Sequence, residues 1–115
     1  MTARTPTVIL GGTGYVAGEL LRLTLAHPRL SLAAIASDSQ PGEPVARAFP
    51  HLAAACGDLR YVSIEEAGDI AAKAPCAAVL AAAPHGVSDL LIDSILRKAE
   101  AAGANPAVVD ISADY

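Results

Sequence analysis

The stretch Thr7-Val8-Ile9-Leu10-Gly11-Gly12-Thr13-Gly14-Tyr15-Val16-Ala17-Gly18-Glu19-Leu20-Leu21-Arg22-Leu23 decides the fold. A short β-branched and apolar run passes through glycines straight into a leucine-rich run with helical spacing, the pattern of a strand, a turn and a helix. Such a turn leaves backbone N–H groups unpaired at the positive end of the helix, where a phosphate can bind them. The glycines read as Gly-x-Gly-x-x-Ala from Gly12 or as Gly-x-x-Gly-x-x-Ala from Gly11. In both registers glycine lets the backbone approach a pyrophosphate, and the small Ala17 lets the helix pack closely on the strands. An ordinary βα turn needs fewer glycines, so the stretch predicts a nucleotide-binding turn with Gly11, Thr13, Gly14, Tyr15 and Val16 at the phosphates.

Outward from this turn, apolar runs alternate with helix-like runs. Thr7 to Leu10 reads as the first strand and Tyr15 to Ala26 as a helix, with Leu20 and Leu23 toward the sheet and His27-Pro28 ending it. Leu30 to Ala36 reads as the second strand, leaving through the turn-forming loop Ser37-Asp38-Ser39-Gln40-Pro41-Gly42. A short helix over Val45 to Ala48, a short strand over Leu59 to Ile64 and a polar helix over Glu65 to Lys73 follow. Cys76 to Ala83 lies between Pro75 and Pro84 and reads as a buried strand. Pro84-His85-Gly86 then opens a helix from about Val87 to Ala102, with Val87, Leu90, Leu91 and Ile95 on one face and Gly103 as terminator. Ala107 to Ile111 is the last strand.

Short strands that are apolar on both faces, alternating with helices, predict a parallel sheet covered on both sides. Right-handed crossovers make it a Rossmann-like, doubly wound α/β fold with strand order 3-2-1-4-5. A ligand crevice is expected at the carboxyl ends of the strands, where Gly11 to Val16, Ser37 to Ser39 and Ala83 to Gly86 converge.

Composition limits the function. A chain of 115 residues is one domain at most, large enough for a core but short for a dinucleotide enzyme with its own substrate domain. Hydrophobic residues make up 53% and mean hydropathy is +0.42, yet no run approaches the ~20 apolar residues of a membrane span. The start leads into a strand rather than a signal-peptide core, which predicts a cytoplasmic protein. A net charge of −4 argues against nucleic acid as a partner. Cys56 and Cys76 have neither CxxC spacing nor a nearby histidine pair, so they predict buried free thiols rather than a metal site.

A series of motifs now acquires a family. Gly11-Gly12-Thr13-Gly14-Tyr15, Glu19-Leu20-Leu21-Arg22-Leu23, His27-Pro28, Phe49-Pro50-His51-Leu52, Ala83-Pro84-His85-Gly86-Val87-Ser88 and Asp110-Ile111-Ser112-Ala113-Asp114-Tyr115 stand in order along nearly the whole chain. In this series the chain resembles the N-terminal part of the N-acetyl-γ-glutamyl-phosphate reductase family and, more distantly, aspartate-semialdehyde dehydrogenases. The resemblance implies NADPH-dependent reduction of an acyl phosphate to a semialdehyde, a step of arginine biosynthesis, through a cysteine thioester with a histidine as acid and base. It implies a small-molecule acyl phosphate as substrate and a homo-oligomeric full-length enzyme.

The family's nucleophile lies in a Gly-Cys-Tyr-type motif downstream of the Ser-Ala-Asp-Tyr segment. Residues 1–115 are therefore expected to form an NAD(P)-binding domain without the catalytic part, inactive as a reductase, with no catalytic residue of its own. Alternatives are another semialdehyde dehydrogenase, of the aspartate or amino-adipate type, and a non-catalytic NADP-binding module. The resemblance favours the register from Gly11, in which relatives keep glycine at the last position and this chain has Ala17 followed by Gly18.

Ser37, Asp38 and Ser39 fall where the adenosine ribose is expected, about 20 residues past the turn. Relatives often carry a basic residue between these serines, which suits the 2′-phosphate of NADP. Asp38 instead suits the ribose hydroxyls of NAD, so NADP is the expected cofactor with NAD as the alternative, and Arg47 is a substitute phosphate partner if the loop folds back. Pro84 and His85 stand at the crevice mouth, where His85 either hydrogen-bonds a ligand or merely shapes the turn.

Overall fold

The computed structural model describes residues 4–11, 14–37, 39–82 and 88–111. Four parallel strands, β1 (Thr5–Leu10), β2 (Leu30–Ala36), β3 (Ala78–Ala81) and β4 (Ala107–Asp110), form one sheet in the order β2-β1-β3-β4. The helices are α1 (Tyr15–Ala26), α2 (Val45–Ala48), α3 (Ala53–Cys56), α4 (Ile64–Lys73) and α5 (Ser88–Ala101), with a 3-10 turn at Pro50–Leu52.

Strand alternation divides the interior into two cores. Val8 and Leu10 of β1, Ala34 and Ala36 of β2, and Val79 and Ala81 of β3 face one side, against Ala67, Ala71 and Ile95 of α4 and α5. The intervening Ile9 and Ile35 face the other side, against Ala17 and Leu21 of α1 and the α2–α3 segment with Val45, Phe49, Leu52 and Cys56. Burial on both faces is what a doubly wound parallel sheet requires, and it follows directly from the two-residue period of the strands.

The expected strand over Leu59 to Ile64 is reduced to one parallel bridge between Val62 and Ala36. It lies on the outer side of β2, where the order 3-2-1-4-5 puts a third strand, but its neighbours are drawn elsewhere. Arg60 makes an antiparallel bridge to Pro44, Tyr61 N donates to Glu43 O at 3.0 Å, and the Tyr61 ring enters the second core. Ser63 then stops any extension by capping α4, its Oγ accepting from Glu66 N at 3.1 Å.

Three further expectations are corrected. On α1 the buried face carries Ala17, Gly18, Leu21 and Thr24, while Leu20 is half-buried and Leu23 is 53% exposed. The close approach of helix to sheet selects the small side chains, and leucines on several sides of the helix hide that choice from periodicity. On α5 the inward residues are Leu91, Ile92, Ile95 and Ala99, with Leu90 71% exposed. Val87 lies outside the described residues. Cys76 is exposed rather than buried, because β3 begins only at Ala78.

Gly103 ends α5 as expected. At φ +77 it takes the left-handed conformation, donating to Glu100 O at 3.1 Å while Ala104 N reaches Ala99 O at 2.8 Å. The paired bonds turn the chain into β4, whose Ala107 N donates to Ala77 O at 2.8 Å.

Candidate functional site

The sheet delivers its strand exits to one edge. β1 leaves at Leu10, and Ala82 N, just past β3, donates to Leu10 O at 2.9 Å. β2 leaves at Ala36, whose Cα is in register with Leu10. The glycine turn and the Ser37 loop therefore stand side by side, about one strand spacing (~4.8 Å) apart at their roots.

Gly11 begins the turn at φ +78, a conformation that favours glycine and swings the chain out of β1. Gly14 is the N-cap of α1, in extended conformation and with no side-chain cap. The first intrahelical bond is Gly18 N to Gly14 O at 3.1 Å, so the N–H groups of Tyr15, Val16 and Ala17 have no partner within the helix. The first turn carries no acidic residue. Among the described residues, a methyl group placed on Gly14 would meet nothing within 4 Å. Amides without helical partners at a positive helix end, in a first turn with no acidic residue, fit a pyrophosphate.

Tyr15 is 87% exposed, and Val16 is exposed beside it. Leu90 in the first turn of α5 and Ile111 just past β4 are also exposed. These apolar side chains stand at helix starts and strand exits, hence along the same carboxyl edge.

Ser37 is buried, and its work is local. Its N donates to Val62 O at 3.1 Å, and its Oγ accepts from Gln40 N at 3.1 Å and lies 3.4 Å from Ser39 Oγ. This is the hydrogen bonding of a serine-initiated turn. Ser39 is exposed and lines a depression of about 340 Å³ with Gln40, Pro41, Glu43 and Arg47. Thr13, Asp38, Pro84 and His85 lie outside the described residues.

One functional detail escaped sequence reading. A Cβ on Gly18 would come within 2.8 Å of Phe49 Cε1 and 3.0 Å of Cδ1. The glycine displaced by one position thus seats the Phe49 ring against α1 and ties the segment carrying Arg47 to the helix that starts at the glycine turn. Its spacing gave no signal, since the partner lies on another element.

Neither described cysteine reaches this edge as a nucleophile. Cys56 is buried in the second core and burial pushes its thiol up, which disfavours the thiolate. Cys76 precedes β3 and so stands at the amino-terminal edge, roughly 20 Å of extended chain from the strand exits. Among the described residues no group of His, Cys, Asp and Glu can hold a metal ion, and no helix is long and apolar enough to cross a membrane.

The family model of the semialdehyde dehydrogenase NAD binding domain matches residues 6–115. The chain belongs to this family. Among curated relatives, the chain is similar to N-acetyl-gamma-glutamyl-phosphate reductase of Rhodospirillum rubrum, at 36% identity over 100% of this chain and 31% of the relative. It is also similar to the reductases of Nitrosococcus oceani, at 38% identity, and Azotobacter vinelandii, at 39%, each over 93% of this chain and 28% of the relative. The chain thus spans about 30% of the length of these relatives. Among solved structures, RSP, a Rex-family repressor, matches with TM-score 0.68 and 15% identity over 98% of this chain and 47% of its own. RSP in complex with beta-NAD+ and operator DNA matches with TM-score 0.64 and 12% identity, over 95% of this chain and 51% of its own. These two share the fold of the semialdehyde dehydrogenase domain.

Proposed function

We propose that this chain is the NADP-binding part of an N-acetyl-γ-glutamyl-phosphate reductase, which reduces an acyl phosphate to the semialdehyde in arginine biosynthesis. The carrying observation is the uncapped first turn of α1, free of acidic residues, at the exit of β1, in a chain whose match to the family runs from residue 6 to 115. The named relatives support the reductase over the aspartate and amino-adipate enzymes.

In this reading the amides of Gly14, Tyr15 and Val16 hold the pyrophosphate, with the buried Ala17 letting the helix pack on the sheet. Gly11 and Gly14 keep the approach clear, with Thr13 adding a hydroxyl. Ser37 shapes the loop at the adenosine ribose, while Ser39 meets the ligand, with Asp38 between them. Pro84 and His85 follow the exit of β3 on the nicotinamide side. The bound NADPH supplies the hydride. The protein's part is to fix the cofactor at the strand exits and shield one side of it with the exposed Tyr15 and Val16. The two free cysteines suit a reducing cytoplasm.

Because Cys56 is buried and Cys76 stands at the opposite edge, this chain binds the hydride donor but has no nucleophile with which to use it. Calorimetry is expected to show one NADPH bound per chain, and a coupled assay no NADPH-dependent reduction of N-acetyl-γ-glutamyl phosphate. Absence of dinucleotide binding would overturn the binding reading, and turnover would overturn the assignment of roles to the cysteines.

A further inference from the structure

The proposed function leaves open what reads the 2′-phosphate, since Asp38 stands in the sequence where a basic group is expected. The depression beyond β2 answers this. We infer that Arg47, with Ser39 and Gln40, forms the subsite for the adenosine 2′-phosphate, so that preference for NADP over NAD is read from α2 rather than from the tip of β2. This rests on the NADP-binding reading above and adds the residues that would enforce it.

Three observations support it. The first is position: the depression opens three residues past the end of β2, on the strand beside the glycine turn, which is the ribose side of a doubly wound sheet. The second is chemistry: its wall combines a guanidinium, a hydroxyl and a primary amide, all donors suited to phosphate oxygens. Glu43 engages Arg47 through Nη1, and both side chains are largely exposed. Nε and Nη2 are not engaged by Glu43 and remain donors for a phosphate, with which the Glu43 carboxylate competes.

The third is that the wall is fixed in place by bonds away from the ligand. The loop turns back at Gly42, at φ +85, with Gly42 N donating to Tyr61 O at 2.8 Å and Arg60 Nη1 donating to Gly42 O at 2.8 Å. Glu43 N reaches Gln40 O at 3.2 Å, closing the turn that carries Gln40 and Pro41. On the far side, Val45 is fully buried with its N bonded to Leu59 O at 3.0 Å, and Phe49 rests against Gly18. Arg47 lies between these two anchors, so its backbone is held while its exposed side chain, paired with Glu43 through Nη1, faces the solvent. The same Phe49–Gly18 contact ties this subsite to the helix whose start holds the pyrophosphate. Among the described residues the carboxylate paired with the guanidinium is Glu43, while Arg60 is bonded to the turn at Gly42 O.

The test is calorimetric titration of the whole chain and its variants with NADPH and with NADH. The native chain is expected to bind NADPH more tightly. Arg47→Gln is expected to weaken NADPH binding about tenfold, the scale of a lost charge-assisted pair, while leaving NADH affinity unchanged. Glu43→Gln, which removes the competing charge, is expected to strengthen NADPH binding by a few fold and not NADH binding. Both side chains are exposed, so the variants should keep the native melting temperature. If the native chain prefers NADPH but Arg47→Gln costs NADPH and NADH alike, or neither, the subsite is refuted while the NADP reading stands. A native preference for NADH would overturn both, and failure to bind either dinucleotide would overturn the binding reading itself.

Discussion

Two mid-helix glycines have almost equal clearance and opposite expected responses to alanine. A Cβ at Gly18 in α1 lands 2.8 Å from Phe49 Cε1 and 3.0 Å from Cδ1, and one at Gly68 in α4 lands 2.9 Å from Lys98 Cδ. Helix propensity favours alanine at either site by about 1 kcal/mol. What differs is whether the neighbour can move. Phe49 is 5% exposed and packed among Val45, Leu52 and Ala17, so its ring must push into a filled core, which costs about 1–3 kcal/mol. Lys98 is a flexible chain whose tip bonds Asp69 at 3.0 Å and Glu65 O at 3.2 Å, and it can shift at its methylenes or forfeit these exposed bonds for about 0.5 kcal/mol. Gly18→Ala is therefore expected to destabilise the fold by about 0–2 kcal/mol, and Gly68→Ala to stabilise it by roughly 0.5 kcal/mol. Urea denaturation with unchanged slope measures both. Adding Phe49→Leu should remove most of the Gly18→Ala penalty, as expected of a direct contact. The reasoning is refuted if Gly18→Ala is as stable as Gly68→Ala, or if its cost persists without the ring.

Other expectations concern single groups. Ser63→Ala removes the cap that accepts from Glu66 N and should cost about 1 kcal/mol in the same denaturation assay, with Ser63→Asp recovering most of it. The Tyr61 hydroxyl is pushed up to about 12, first by burial and second by the neighbouring Cys56 thiolate. Between its ordinary value of 10.0 and about 12 the unfolded chain releases a proton that the folded chain keeps, so stability should fall as pH rises through that window. Chemical denaturation at successive alkaline pH values checks the sign, and Tyr61→Phe should flatten that part of the curve.

The fold was legible where punctuation was strong. β1, α1 and β2 are bounded by Gly11, by His27-Pro28 and by the Ser37 loop, and each forms close to where its pattern places it. The short helix Val45–Ala48 also forms where its pattern places it, whereas between Leu59 and Ile64 local pattern failed because long-range bonds decide the structure. Leu59 to Ile64 alternates like a strand, yet Tyr61 is captured by the Glu43 turn and Ser63 by the start of α4, leaving Val62 alone to pair with β2. The inward face of α1 was hidden by its leucines, and only the small Ala17, Gly18 and Thr24 disclose how closely the sheet approaches.

The candidate site was partly legible. A glycine-rich strand-to-helix turn has a mechanism that can be read from residue order alone, since the free amides follow from helix geometry. What the order could not show is that Ser37 Oγ serves its own loop, or that Gly18 receives the Phe49 ring from another element. Both depend on tertiary contacts. The return of the loop, which brings Arg47 alongside Ser39, rests on Gly42 and its bonds to residues 60 and 61, far along the chain.

The central claim is that a dinucleotide pyrophosphate sits on the first turn of α1. Its most direct test is a backbone amide NMR titration of the isotope-labelled chain with NADPH. The amides of Gly14, Tyr15 and Val16 should show the largest shifts, with smaller ones at Ser39 and Gln40 and little change at the amino-terminal edge around Cys76. Saturable binding that leaves the Gly14 to Val16 amides unmoved would contradict the account.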